Sequence, residues 1–482
     1  MTDHAHPAAP ELGTVWAALG GDPTLLSRVR VTAREGALPA RLPVRALARA
    51  CVAGCALAAA ELAAARRPGE RAVPVVTVDD GAVATAFTSE RQLRVAGRAP
   101  TGFAPLSTWW RTADGWVRTH ANYPHHRARL LTALGAAVDL DDARAAAHLA
   151  EVLAGWRATR AEEAVYAAGG LAVSLRTPAA WAAHPQGAAV RDLPLVGRAA
   201  LPGGTAALPP LDGTPLLPAA GVRVLDLTRV LAGPVATRTL ALLGADVLRI
   251  DSPGRPEQDD LHTDTGFGKR STALDLAAPS GRRALDALLA RADVVVTGYR
   301  PGSLDRFGLS SEALAARRPG LVVARLSAWG PHGPWAGRRG FDSLVQAASG
   351  IARIEGGPQR PGALPAQALD HGSGYLLAAA VLRALTERQH EGTGGTVEVV
   401  LARTAAWLTG AAADPVPAGP AAKTHTGAPY TGPGRWLAER NGPAGRLRYA
   451  RPPVRFAEGP ADWTTPPGPQ GVDPAGWRDE PT

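Results

Sequence analysis

The sequence predicts an α/β protein in which a doubly wound parallel sheet follows a smaller α/β domain. Three observations carry this reading. Between 221 and 408, short runs rich in valine and leucine alternate with helical stretches of about ten residues, the pattern of parallel strands joined by crossover helices. A segment rich in Pro and Gly, 202–220 (PGGTAALPPLDGTPLLPAA), reads as a linker ahead of that half. The 482 residues are 46% hydrophobic and 20% charged, enough for two or three cored domains and far from the composition of disorder.

The elements of the second half follow in order. Residues 221–227 (GVRVLDL) predict a buried strand, TRVLAGP a turn, 234–243 a helix stopped by Gly244, and 245–251 (ADVLRID) a second strand. A helix over 279–291, a strand over 292–299, a helix near 310–318 and a strand over 321–327 continue the alternation. In such sheets ligands bind beyond the carboxyl ends of the strands, which places TRVLAGP, TGYRPG and SAWGPHGP along one edge.

The first half carries a faint copy of the second. Residues 42–67 (LPVRALARACVAGC…) parallel 364–388 (LPAQALDHGSGYLL…), and each is followed by a β-like run, 73–87 and 396–408. The first copy has Ala48 where the second has Asp370, so 1–104 reads as a degenerate partial repeat lacking that carboxylate. Residues 105–201 form the small α/β domain, with a hairpin around Asp114-Gly115 and helices over 124–134 and 142–155. Trp109, Trp110 and Trp116 there are packing residues. The tail, 409–482, is expected to be loop wrapped on a surface, with little regular structure.

Charge and cysteine content exclude several classes. The net charge is +9, but Lys269 and Lys423 are the only lysines and the arginines are scattered, with no run of five or six basic residues. That distribution argues against a nucleic-acid partner and suits a polyanionic small molecule. Cys51 and Cys55, four residues apart on one helix face, lack further metal ligands and imply small buried side chains in a reducing compartment. The N-terminus lacks the pattern of a signal peptide, and the best apolar stretch is broken by Glu61, so the expected location is cytoplasmic, with no membrane partner.

Asp370 is the strongest chemical candidate. A helix is predicted from Tyr375 to Leu385, which puts Asp370 at or just before its start. One reading is an N-cap, worth about 1 kcal/mol. The other is a nucleophile, kept ionised by the helix dipole and made approachable by Gly372 and Gly374, whose amides would hold an oxyanion. Both readings stay open on the residues alone. GFGKRS (266–271) fails as a phosphate loop because Thr263 and Arg270 stand where Gly and Ser/Thr are needed, although Lys269 or Arg270 remain candidate phosphate contacts. No G-x-S-x-G elbow is present, and His262, His332 and His371 are isolated, solvated or structural, with no metal site.

Taken together, GVRVLDLTRVLAGP (221–234), LGADVLRID (243–251), KRSTALDL (269–276), GYRPGSLDRFGL (298–309), LSAWGPHGPWAGRRGFDSLVQAASG (326–350) and ALDHGSGYLLAAAVLRAL (368–385) resemble the CoA-binding large domain of CaiB/BaiF (family III) CoA-transferases. Residues 105–200 are similar to the family's small domain. The resemblance implies a Rossmann-like CoA-binding domain and a coenzyme A thioester as substrate, with a small carboxylic acid as acceptor and no separate cofactor or metal. It implies that Asp370 is the catalytic carboxylate and that Val230, Leu231 and Ala232 line CoA. Leu274, Gly298 and Tyr299 then lie near the adenine, Arg306 and Arg339 are cationic contacts, and Asp342 is a second acid near the site. Ser252 stands where the family has an Arg on the nucleotide, with Arg249 or Arg255 as replacements. The family's interlocked homodimer becomes here either a homodimer or an intramolecular pseudo-dimer. An α-methylacyl-CoA racemase is the nearest alternative, but such racemases place a His where Phe341 stands. A lyase variant of the same covalent chemistry also stays open, as does an inactive CoA-binding scaffold, suggested by Ala48 and Ser252.

Overall fold

The computed structural model describes residues 10–69, 71–201, 204, 207–357, 359–411 and 422–478. Residues 202, 203, 205 and 206 of the expected linker and 412–421 of the expected tail lie outside the described residues.

Near the N-terminus, β1 (Val29–Ala33) and β2 (Val76–Asp79) pair in parallel, joined by the long helix Val44–Ala65. After the short strand β3 (Arg94–Val95), β4 (Trp109–Arg111), β5 (Trp116–Thr119) and β6 (Ala172–Ser174) make a small antiparallel sheet. The expected turn at Asp114-Gly115 joins β4 to β5. Helices Pro124–Ala133 and Asp142–Ala154 follow β5, as the sequence predicted.

The main sheet contains β7 (Gly197–Leu201), β8 (Arg223–Leu227), β9 (Asp246–Asp251), β10 (Arg270–Ala273), β11 (Val294–Thr297), β12 (Val322–Ser327) and β13 (Gly394–Val400). Its order is β10-β9-β8-β11-β12-β13-β7, parallel throughout except for β7 on β13. Counted from β8, the six parallel strands run 3-2-1-4-5-6, the doubly wound order whose switch point lies between β8 and β11. Both faces are covered, which is why these strands are valine- and leucine-rich rather than alternating with polar residues. Val224, Val294, Val296 and Val322 join the core on one face. Leu225, Val295 and Val323, one residue on, join the core on the other.

Four expectations are corrected. The strand β10 falls in KRSTALDL, where no strand was predicted; as a four-residue edge strand it is specified by pairing with β9 rather than by its own pattern. The β-like runs 73–87 and 396–408 are each only half strand: β2 gives way to the helix Asp80–Ala86, and β13 to the helix Leu401–Leu408. Alternation ends in both where alanine begins to dominate. The last strand of the expected small domain, β7, belongs to the main sheet. The tail is not loop alone: β14 (Lys423–Thr426) adds to β1, and the hairpin β15 (Leu437–Gly442) with β16 (Gly445–Ala450) pairs with β3.

The two similar segments share a helix–strand–helix order, and their long helices, Val44–Ala65 and Ala368–Glu391, pack along each other. Val44–Ala65 is long and apolar enough to cross a membrane by composition, yet 83% of its most apolar stretch is buried inside the protein. Its Glu61 pairs with Arg383 of the second helix at 2.5 Å.

Candidate active site

The loops predicted to share one edge do meet, at the carboxyl ends of β8, β11 and β12. They line a cavity of about 320 Å³ that includes Val230, Ala232, Gly298, Tyr299, Ser327 and Arg339. Arg255, Arg300, Arg306 and Arg339 all face it, and among the described residues none of the four has a carboxylate partner. Burial together with Arg300, Arg129 and Arg255 lowers the Arg339 pKa, the mark of crowded, uncompensated positive charge. Such a cluster is built for a polyanion.

The turn after β8 is held under strain. Val230 adopts φ +70, costly for a β-branched residue by about 1–3 kcal/mol. Its amide donates to Glu257 Oε2 at 2.8 Å, and Glu257 Oε1 accepts from Tyr123 Oη at 2.5 Å. Burial would raise the Glu257 pKa, but Arg229, Tyr123 and the Val230 amide together hold it below the usual range. An anionic buried clamp thus fixes the bent backbone.

Asp370 lies in the first turn of the helix Ala368–Glu391, which starts seven residues earlier than predicted. It does not cap that helix. The amides of Leu369 and Asp370 both donate to Asp342 Oδ2, at 2.9 and 3.1 Å, and Gln346 Nε2 donates to Asp342 Oδ1. Asp342, fully buried at the start of the helix Asp342–Ala348, is therefore the cap, supplied from another element. Among the described residues no donor reaches the Asp370 carboxylate, which is 7% exposed. Burial, then Asp342, then Glu90 push its pKa well above the usual carboxylate value. This corrects the expectation that the helix terminus keeps it ionised: desolvation and two like charges outweigh the dipole. Burial also raises Asp342, to about 6, against the pull of Gln346 and the two amides. With three donors on Asp342 and none on Asp370, the proton of this pair resides on Asp370.

His371 is not isolated. Its Nε2 lies 3.1 Å from Glu90 Oε2, and its ring stacks on Phe87 with centroids 5.3 Å apart. Burial would raise Glu90, but the hydrogen bond and charge of His371 win and hold it low. Gly372 and Gly374 sit inside the helix rather than ahead of it, so their amides belong to the helical ladder and do not face a substrate. They serve packing instead. A Cβ on Gly372 would lie 3.0 Å from Leu47 Cδ2, and one on Gly374 would lie 2.5 Å from the Ala232 carbonyl oxygen.

A second cavity, of about 310 Å³, opens on the other side of Asp370 and shares Val230 and Phe341 with the first. Leu231 and Asp342 line this second cavity rather than the arginine-rich one. Leu274 lines neither and packs against the core below the sheet. Lys269 and Arg270 are not phosphate contacts: Lys269 Nζ is buried on Asp226 at 3.1 Å, and Arg270 pairs with Asp246 at 3.0 Å. Arg249 is likewise spent on Asp251 at 2.6 Å, whereas Arg255 faces the cavity.

Sequence reasoning missed Glu90, His120, His125 and His126. His120 stacks on Phe341 with centroids 3.7 Å apart, and His126 meets the same ring edge-on at 5.9 Å. The run THANYPHH (119–126), three histidines in eight residues, was the available signal. What it lacked was any local hint of proximity to Asp370.

Residues 219–432 match the model of CoA-transferase family III. The chain is 37% identical over 194 residues to the formyl-CoA:oxalate CoA-transferase of Afipia carboxidovorans, covering 38% of this chain and 46% of that protein. It is 34% identical over 206 residues to the succinyl-CoA–L-malate CoA-transferase beta subunit of Chloroflexus aurantiacus, covering 40% and 51%. The crystal structure of Rv3272 from Mycobacterium tuberculosis aligns at 36% identity over 41% of this chain and 56% of that one, with a TM-score of 0.38. The chain thus spans about half the length of the curated relatives it matches.

Proposed function

We propose that this chain transfers coenzyme A from an acyl-CoA thioester to a carboxylic acid, with Asp370 carrying the acyl and CoA groups in turn. The observation that carries the reading is the placement of Asp370: relieved of capping by Asp342, it stands between an arginine-rich cavity and a second, ring-lined one. The cationic cavity suits the phosphates of CoA, and the relatives named above are CoA-transferases. The thioester is itself the substrate, so no further cofactor or metal enters the reaction. Two buried, unpaired thiols fit a reducing cytoplasm.

The Asp370 carboxylate attacks the thioester carbonyl carbon, expelling CoA thiolate and leaving a mixed anhydride. The thiolate then attacks the aspartyl carbonyl, which forms an aspartyl-CoA thioester and releases the first carboxylate. The acceptor carboxylate repeats the sequence: it displaces thiolate to form a new anhydride, and the thiolate leaves with the acceptor as a new acyl-CoA. Only a carboxylate can be both acylated and thioesterified in this way.

His120 and His126 give the racemase alternative an imidazole that Phe341 itself cannot supply. Burial, with Arg118 beside it, holds the His120 pKa at about 3, and burial with its histidine neighbours pushes His126 lower still. Groups so weakly basic do not retain an α-proton at neutral pH. Trapping with hydroxylamine after incubation with an acyl-CoA panel tests the proposal. A hydroxamate on Asp370 is expected, with no deuterium washed into the α-carbon. Asp370→Ala should lower transfer on the order of a thousandfold or more while CoA still binds. CoA binding with no Asp370 adduct from any donor would sink the proposal in favour of a scaffold.

A further inference from the structure

Half of the residues that line the second cavity come from 90–122, outside the matched segment. Three rings define it. His120 lies flat on Phe341, 3.7 Å between centroids and 3° between planes, and Phe103 stands edge-on to His120 at 6.4 Å and 90°. Phe103 is 47% exposed, an aromatic left uncovered at a cavity that otherwise meets Leu231 and Leu261. Charge is distributed unevenly. The lining acids are Glu90, Asp260, Asp342 and Asp370, of which Asp260 pairs with Arg98 at 2.5 Å, while the cations Arg91 and Arg94 hydrogen-bond nearby backbone carbonyls, Arg91 to Pro365 and Arg94 to Leu93. A ligand with one carboxylate can present it to Asp370 and lay an uncharged body on the rings. A short dicarboxylate would bring its second charge close to Glu90 and Asp342, where like charge repels it.

We infer that this cavity seats the acyl group and the acceptor acid in turn, and that its rings select monocarboxylic acids with a flat aromatic body over short dicarboxylic acids. The inference rests on Asp370 as the acyl carrier. Benzoate, phenylacetate and cinnamate then bind and accept CoA better than oxalate or succinate. Phe103→Ala costs the aromatic acids about fivefold more in kcat/KM than it costs acetate, through loss of one ring contact. Phe103 is exposed, so its removal leaves the core intact.

The test pairs acceptor competition in the active protein with saturation-transfer NMR of each acid on the Asp370→Asn variant, which needs no turnover. Preference for the aromatic acids in both, reduced by Phe103→Ala, is the expected result. Transfer that favours succinate or oxalate, or a Phe103→Ala effect equal for all acids, overturns the cavity assignment and leaves the transferase reading standing. Phe103-dependent binding of aromatic acids without transfer from any donor supports the cavity assignment and overturns only the role of Asp370.

Discussion

Because no donor reaches the Asp370 carboxylate while Asp342 and Glu90 face it, the folded protein favours its protonated form, whereas attack on a thioester needs the anion. The transfer rate therefore rises with pH through the raised Asp370 pKa. Stability runs the other way. A carboxyl whose folded pKa exceeds its unfolded value contributes stability below the unfolded pKa and loses it as pH rises through the folded one. Asp370→Asn is accordingly expected to raise the thermal midpoint more at pH 8 than at pH 5. Equal shifts at both pH values would contradict the assigned direction. Asp342→Asn removes the neighbouring charge and moves the acidic limb of the rate profile to lower pH. It also costs about 1–3 kcal/mol, because Gln346 cannot turn its amide to suit Asn while its Oε1 accepts from Leu364 at 2.9 Å. Rate profiles and melts of this one variant read both effects.

At the scale of elements, the helix Ala368–Glu391 packs closely on two others at its first turns, with a glycine facing each, but only one of the two approaches needs it. A Cβ on Gly374 would meet the backbone oxygen of Ala232, the first residue of the helix Ala232–Leu242, which cannot move without disturbing the arginine-rich cavity. A Cβ on Gly372 would meet only the Leu47 side chain, which can rotate. Gly374→Ala is expected to destabilise by about 1–3 kcal/mol and to weaken CoA binding. Gly372→Ala should lie near neutral, offset by about 0.5–1 kcal/mol of helix propensity. Chemical denaturation of the two variants distinguishes packing from propensity. The same helix shows why its start was misplaced in the sequence. Gly372 and Gly374 suggest a loop by composition, and only the facing helices and the Asp342 cap make them helical.

Across the whole molecule, the described tail residues lace the N-terminal unit to the main sheet. The strand β14 extends β1, Asp473 accepts from the Ser271 amide on the edge strand β10 at 2.7 Å, and Trp463 Nε1 donates to the Arg238 carbonyl at 2.8 Å. Arg238 in turn holds Asp264 at 3.0 Å and Ser89 Oγ at 3.0 Å, one residue from Glu90. The tail thereby reaches the wall of the second cavity. Trp463→Ala removes a buried ring packed on Phe267 with centroids 5.2 Å apart, and about 3–5 kcal/mol of stability is expected to go with it. A melt unchanged by that substitution would show that the tail does not brace the fold.

The sequence by itself determined the order of strands and helices from 221 to 327 apart from β10 and the helix Asp259–Thr265, the edge on which the loops meet, and Asp370 as the residue to watch. Each of these follows from local periodicity, from glycine and proline punctuation, or from motif order. Tertiary structure decided what Asp370 is. Its cap comes from Asp342, 28 residues away; its opposing charge, Glu90, from 280 residues away; and half of its second cavity from residues 90–122. The same holds for β10 and the tail strands, which exist through pairing with distant partners. Desolvation and like charge at a buried carboxylate depend on what the fold brings within a few ångströms, and no local pattern of residues encodes that.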